Sequence, residues 1–122
     1  MRLRNNPKAY EIMNENSDFV VIEPENLKNN WNDIFDNDKP IYIEIGMGKG
    51  RFLLNMAKTY PDINFVGIER YSSVLLRAVE RMDVEAYQDL KNIRFVCMDA
   101  RNLEEVFTPG EVGGIYLNCS EP

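Results

Sequence analysis

With 122 residues, 44% of them apolar and 28% charged, the chain has the length of one domain and a globular composition. It contains no histidine and only two cysteines, which argues against hydrolase triads, zinc centres and a disulfide scaffold. A net charge of −6 is a poor footprint for a nucleic-acid binder.

No run approaches the ~20 apolar residues of a membrane span, and no signal peptide is visible behind the first residues, so a cytoplasmic setting with no membrane contact is expected. Arg2, Arg4 and Lys8 read as a solvated basic tail. Asn6-Pro7 is a helix start with proline at its first position, predicting a short helix from Pro7 to about Asn14. After Pro24, Leu27, Trp31, Ile34 and Phe35 recur at helical spacing, and Asp36–Pro40 breaks that helix. Residues 1–40 are therefore expected as an amino-terminal helical extension packed on a domain that begins at 41.

From Ile41 the pattern changes to alternation. A first strand is predicted at Ile41–Ile45, followed by the turn Gly46-Met-Gly-Lys-Gly50 and a helix burying Phe52, Leu53, Met56, Ala57 and Tyr60. The second strand is Asn64–Glu69, apolar almost throughout, as in a strand covered on both faces. A helix capped at Ser72 or Ser73 should bury Val74, Leu75, Ala78, Val79 and Met82. The third strand is Ile93–Met98. A short helix with the capping-box pair Asn102 and Glu105 follows, then a fourth strand at Gly114–Asn118. Strict β/α alternation requires a parallel sheet with right-handed crossovers, a Rossmann-like α/β fold, and the expected strand order is 3-2-1-4. That order separates Cys97 from Cys119 by roughly 14 Å, beyond the about 7 Å a disulfide spans, so both are expected as buried free thiols.

Four carboxylates fall at the four strand ends: Glu44, Glu69, Asp99 and Glu121. In an open parallel sheet such ends converge on the ligand crevice. A dinucleotide fingerprint carries a glycine sixth; here Gly46, Gly48 and Gly50 are followed by Arg51, and Glu44 would face a pyrophosphate with negative charge. A ligand with positive charge at its loop-facing end fits better, and S-adenosylmethionine is such a ligand. Glu69, 23 residues beyond Gly46, is placed to accept from ribose hydroxyls. Asp99, with small Ala100 beside it, could accept from an adenine amino group or cap the helix that follows.

With Glu-Ile-Gly-Met-Gly-Lys-Gly-Arg-Phe from Glu44, Gly67-Ile-Glu69, Asp99-Ala100 and Ile115-Tyr-Leu-Asn-Cys-Ser-Glu-Pro122, the chain resembles the bacterial tRNA (guanine-N7)-methyltransferases of the class I type over essentially its whole length. The resemblance implies S-adenosylmethionine as cofactor, held by Glu44, the three glycines, Glu69, Asp99, Ala100 and Asn118. It also implies tRNA as partner, methylated at N7 of a variable-loop guanine beside the acid at position 121. Two departures stand out. The family pattern Asn-Phe-Ser-Asp-Pro-Trp-Pro-Lys reads Asn118-Cys119-Ser120-Glu121-Pro122 here. The Trp-Pro-Lys, the basic segment after it and the last strands of a seven-stranded sheet are expected to be missing, so the cofactor half is present without the tRNA half. That leaves the fourth strand as an apolar edge suited to self-association. A non-catalytic cofactor-binding or partner-binding module is the alternative reading. A nicotinamide-dependent oxidoreductase is a third, disfavoured by Arg51 and Glu44.

Overall fold

Ile41–Ile45 becomes an inner strand of a parallel sheet, with a neighbour on each side. The computed structural model describes residues 7–117. In chain order the elements are α1 (Pro7–Glu15), β1 (Val20–Val21), a 3-10 turn (Pro24–Leu27), α2 (Trp31–Phe35), β2 (Ile41–Ile45) and α3 (Arg51–Thr59). There follow β3 (Asn64–Glu69), α4 (Ser72–Arg81), a 3-10 turn (Glu85–Tyr87), β4 (Ile93–Cys97), a 3-10 segment (Ala100–Glu105) and β5 (Gly114–Leu117). The sheet order is β1-β4-β3-β2-β5, every pairing parallel. The four strands expected from the sequence stand in the expected order. Asn118, Cys119 and Glu121 lie outside the described residues, as do Arg2 and Arg4.

The fifth strand was not expected. Val20 and Val21 pair with Phe95 and Val96 and extend the sheet beyond β4. The run Phe19-Val-Val-Ile22 is β-branched and apolar, which is the local signal for it. Arg94 fastens this segment: its guanidinium donates to Ile34 O at 3.1 Å and lies over the rings of Phe19 and Phe35. The long helix expected after Pro24 is instead two short pieces. Asn29 adopts φ 69° and ends the first. The second starts at Trp31 because Glu111 accepts from the backbone N–H of Asn29 and of Trp31, at 2.9 and 3.1 Å.

Two apolar layers cover the sheet. On one face α1, α3 and α4 bring Met13, Leu53, Leu54, Ala57, Leu75 and Ala78 against Phe65 and Phe95. On the other, Trp31, Phe35, Val106 and Phe107 pack on Ile41, Ile43, Val66 and Val96. Trp31 is fully buried, stacks on Phe107 at 4.8 Å and donates its indole N–H to Val106 O at 2.8 Å. β3 is buried at every position, as its apolar run demands.

Three local expectations are corrected. The buried stripe of α3 is Leu53, Leu54 and Ala57, with Phe52 and Met56 half-buried; Tyr60 is exposed because it has left the helix, at φ −122°. Ser72 and Ser73 lie inside α4, whose N-cap is Tyr71. The segment after β4 is capped by Asp99, which accepts from Arg101 N, and Asn102 lies within it.

Candidate cofactor site

β2, β3 and β4 run in parallel and in register, so their carboxyl ends deliver three loops to one edge of the sheet. Between these loops lies a cavity of about 790 Å³. Ile45, Gly46, Gly48, Lys49 and Arg51 come from the β2 end, and Ile68, Glu69, Arg70, Tyr71 and Val74 from the β3 end. Met98, Asp99 and Ala100 come from the β4 end.

The glycine loop is built by conformations that only glycine adopts freely. Gly46, Gly48 and Gly50 have φ of 73°, 61° and 80°. The residue between the first two, Met47, is fully buried and packs into the space that Gly67 leaves open on β3. A Cβ at Gly67 would collide with Met47 Sδ and lie 2.7 Å from Leu53. The Gly67-Ile-Glu69 run is thus the seat of the loop above it.

Almost every N–H of that loop is committed inward. Gly46 N and Met47 N donate to Ile68 O at 2.8 and 3.0 Å, and Gly50 N donates to Met47 O at 3.1 Å. Gly48 N donates to Glu69 Oε1 at 2.9 Å. The other oxygen of Glu69 accepts from Tyr71 N at 3.1 Å, at the start of α4. Glu69, only 7% exposed, therefore clips the loop to the α4 start, and each of its oxygens keeps a lone pair for a ligand.

The other sequence-derived residues take different places. Glu44 is fully buried, one residue before the end of β2 and opposite Gly67 and Tyr116 on its two neighbours; it does not line the cavity. Gly50 does not line it either, since it is pressed against Ala78 of α4. Gly46, Gly48, Glu69, Asp99 and Ala100 do. Asp99 is both cap and ion-pair partner: Arg101 reaches its two oxygens at 2.9 to 3.2 Å. The Arg101 side-chain and backbone hydrogen bonds hold its carboxyl down at about 2. Cys97 is buried beneath, donating its thiol to Arg70 O at 3.7 Å. Desolvation and then the nearby Glu69 carboxylate push that thiol up to about 11. It is a packing residue rather than a nucleophile.

Lys49, Arg70 and Tyr71 also line the cavity and were not singled out from the sequence, and Val74, expected only as a buried helix residue, lines it too. Lys49 sits inside the glycine motif and Arg70 directly follows Glu69, so position alone could have suggested both.

This geometry agrees with the comparisons to known proteins. Residues 38–122 match the family Methyltransf_4, described as "Putative methyltransferase". The chain belongs to that family. Curated proteins similar to the chain carry the name tRNA (guanine-N(7)-)-methyltransferase. The protein of Lachnoclostridium phytofermentans is 49% identical and that of Exiguobacterium sibiricum 46%, both over 122 residues. The Bacillus subtilis protein is 46% identical over 123 residues. Each match covers 100% of this chain but 55 or 56% of the relative, so the chain spans about half their length. Among solved structures, the antibiotic-resistance methyltransferase Kmr superposes with a TM-score of 0.58 at 24% identity, covering 69% of this chain and 43% of that one. An antibiotic-related methyltransferase superposes at 0.60 and 19%, covering 73% and 45%. These two likenesses establish the shared Rossmann-like methyltransferase fold.

Proposed function

We propose that this chain forms the cofactor-binding part of an enzyme that transfers a methyl group from S-adenosylmethionine to N7 of a variable-loop guanine in tRNA. The observation that carries the cofactor assignment is the inward commitment of the glycine-loop N–H groups. A pyrophosphate needs such groups free and pointing at it; here Gly46, Met47, Gly48 and Gly50 all donate within the protein. What remains is a cavity with positive-φ glycines at one wall, a buried acid at the next and Asp99-Ala100 at the third, which suits a ribose and an adenine without phosphates.

Bound there, S-adenosylmethionine supplies a methyl group activated by its sulfonium. Glu69 would accept from the ribose diol through the lone pairs its backbone partners leave open, and Ala100 leaves room for the ring. Asp99 stays ionised at neutral pH, held there by Arg101. Guanine N7 already has a free lone pair, so no residue need remove a proton, and the protein's task is orientation and tolerance of a cationic product. Glu121, with Asn118 near it in sequence, is proposed for the acid beside the base; both lie outside the described residues. The setting proposed is cytoplasmic, following from tRNA as substrate. Among the described residues no helix is long and apolar enough to cross a membrane. The β5 edge, where Ile115 is 54% exposed, is proposed as a site of association with a second copy.

The cofactor reading is tested by calorimetry of the folded chain with S-adenosylmethionine and with its demethylated product. Binding of both, with no response to NADH, is expected; no detectable heat at millimolar ligand sinks the assignment. Transfer of labelled methyl groups to unmodified tRNA tests the reaction itself.

A further inference from the structure

The cavity carries more positive charge than its proposed cofactor can use. Lys49, Arg51 and Arg70 are all exposed and all line it, from the ends of β2 and β3. None of the three stands within ion-pair distance of an acid among the described residues, although Arg70 acts on Asp99 at longer range. The acids that share the cavity are occupied: Glu69 by the two backbone N–H groups, Asp99 by Arg101. Arg70 rests over the Tyr71 ring at 5.4 Å. S-adenosylmethionine has a sulfonium, an ammonium and one carboxylate, hence one net positive charge. With Glu69 and Asp99 as the acids of the cavity and Arg101 already paired with Asp99, cations outnumber acids there, and an anion joining them in the working complex would balance the excess. In a chain of net charge −6, gathering them at one opening is also against the overall balance.

We propose that Lys49, Arg51 and Arg70 form a phosphate-binding rim at the open side of the cofactor cavity, taking the RNA backbone that flanks the target base. This rests on the tRNA-methyltransferase reading and adds to it the residues that dock the substrate. Arginine and lysine at exposed positions are suited to this, since they neutralise phosphates without burying charge. The rim is compatible with the acidic composition, since a net charge of −6 does not report a local cluster of cations.

The test compares the wild-type chain with the triple variant K49Q/R51Q/R70Q and the charge-keeping variant K49R/R51K/R70K. Binding to an unmodified tRNA transcript is followed by fluorescence anisotropy between about 50 and 200 mM salt. Three phosphate contacts contribute a slope of about 2 to 3 to the fall of log affinity with log salt. The glutamine variant is expected to lose that much slope, and the charge-keeping variant to retain it. Urea unfolding shows that the glutamine variant is folded, and calorimetry with S-adenosylmethionine reports whether the three cations also serve the cofactor. An unaltered slope overturns the rim and leaves the methyltransferase reading standing. Weakened cofactor binding in the glutamine variant overturns it too, by assigning the cations to the cofactor carboxylate. A wild-type chain without salt-dependent tRNA binding overturns the rim, and one that binds no cofactor overturns both.

Discussion

Replacing Gly50 with alanine separates two roles that the glycine motif confounds, contact with a ligand and packing of the loop. Gly50 has φ 80°, and a Cβ built on it would stand 2.7 Å from the Cβ of Ala78. The left-handed conformation costs a non-glycine residue about 1–2 kcal/mol. The clash is with an alanine methyl, which has no rotamer to escape into, so α3 and α4 must move apart; overpacking of this kind costs about 1–3 kcal/mol. The sum, about 2–5 kcal/mol, is a large share of the about 5–15 kcal/mol that holds a domain together. Urea unfolding should therefore show a strongly destabilised but folded G50A. In an Ala78→Gly background the collision is absent, and only the conformational cost of about 1–2 kcal/mol should remain. The expected coupling between the two positions is thus about 1–3 kcal/mol, from the overpacking alone. A coupling below about 0.5 kcal/mol would refute the packing account. So would loss of S-adenosylmethionine affinity in a G50A sample shown to be folded, since that assigns Gly50 to the ligand.

Glu69→Gln leaves one acceptor for two backbone donors, setting an amide N–H against Gly48 N–H or Tyr71 N–H. It should cost about 1–3 kcal/mol in urea unfolding as well as weaken cofactor binding, and unchanged stability would remove the clip from the account. Cys97, its thiol raised to about 11, should react with iodoacetamide at pH 8 far more slowly than a free cysteine, read by mass spectrometry in a C119S background. Asp99 has a folded pKa of about 2, below its ordinary value. Its contribution to stability is accordingly present above about pH 4 and lost as pH falls towards 2. Arg101→Met should return the Asp99 titration towards the ordinary range by NMR, and no movement would dissolve the pair. Ile115→Lys should shift any dimer seen by light scattering to monomer.

The parallel sheet was legible because its signals are local. β2, β3, β4 and β5 each announce themselves by alternation or by an apolar run between turn residues, and their order is the one in which the second and third expected strands lie on one side of the first and the fourth on the other. Where the sequence misled, the deciding partner was distant. The N-terminus of α2 is held by Glu111, some 80 residues away, so no nearby residue marks it. α4 begins without a serine cap: its N-cap is Tyr71, whose N–H Glu69 holds. β1 is two residues long and is a strand by virtue of β4, with Arg94 stitching the segment in place.

The site divides in the same way. That acids stand at strand ends is a matter of spacing, and Glu69, Asp99, Gly46, Gly48 and Ala100 do meet at one cavity. Which of them face a ligand is a matter of competition with the backbone, and spacing is silent on it. Glu69 shapes the loop by taking the Gly48 N–H, and by doing so it removes a donor that a phosphate would want. Arg51 stands where a dinucleotide fingerprint has its sixth glycine, and the Glu69 carboxylate takes a loop N–H that a pyrophosphate would use. With that N–H spent, the cationic side chains lining the cavity are Lys49, Arg51 and Arg70, and the proposed rim rests on them.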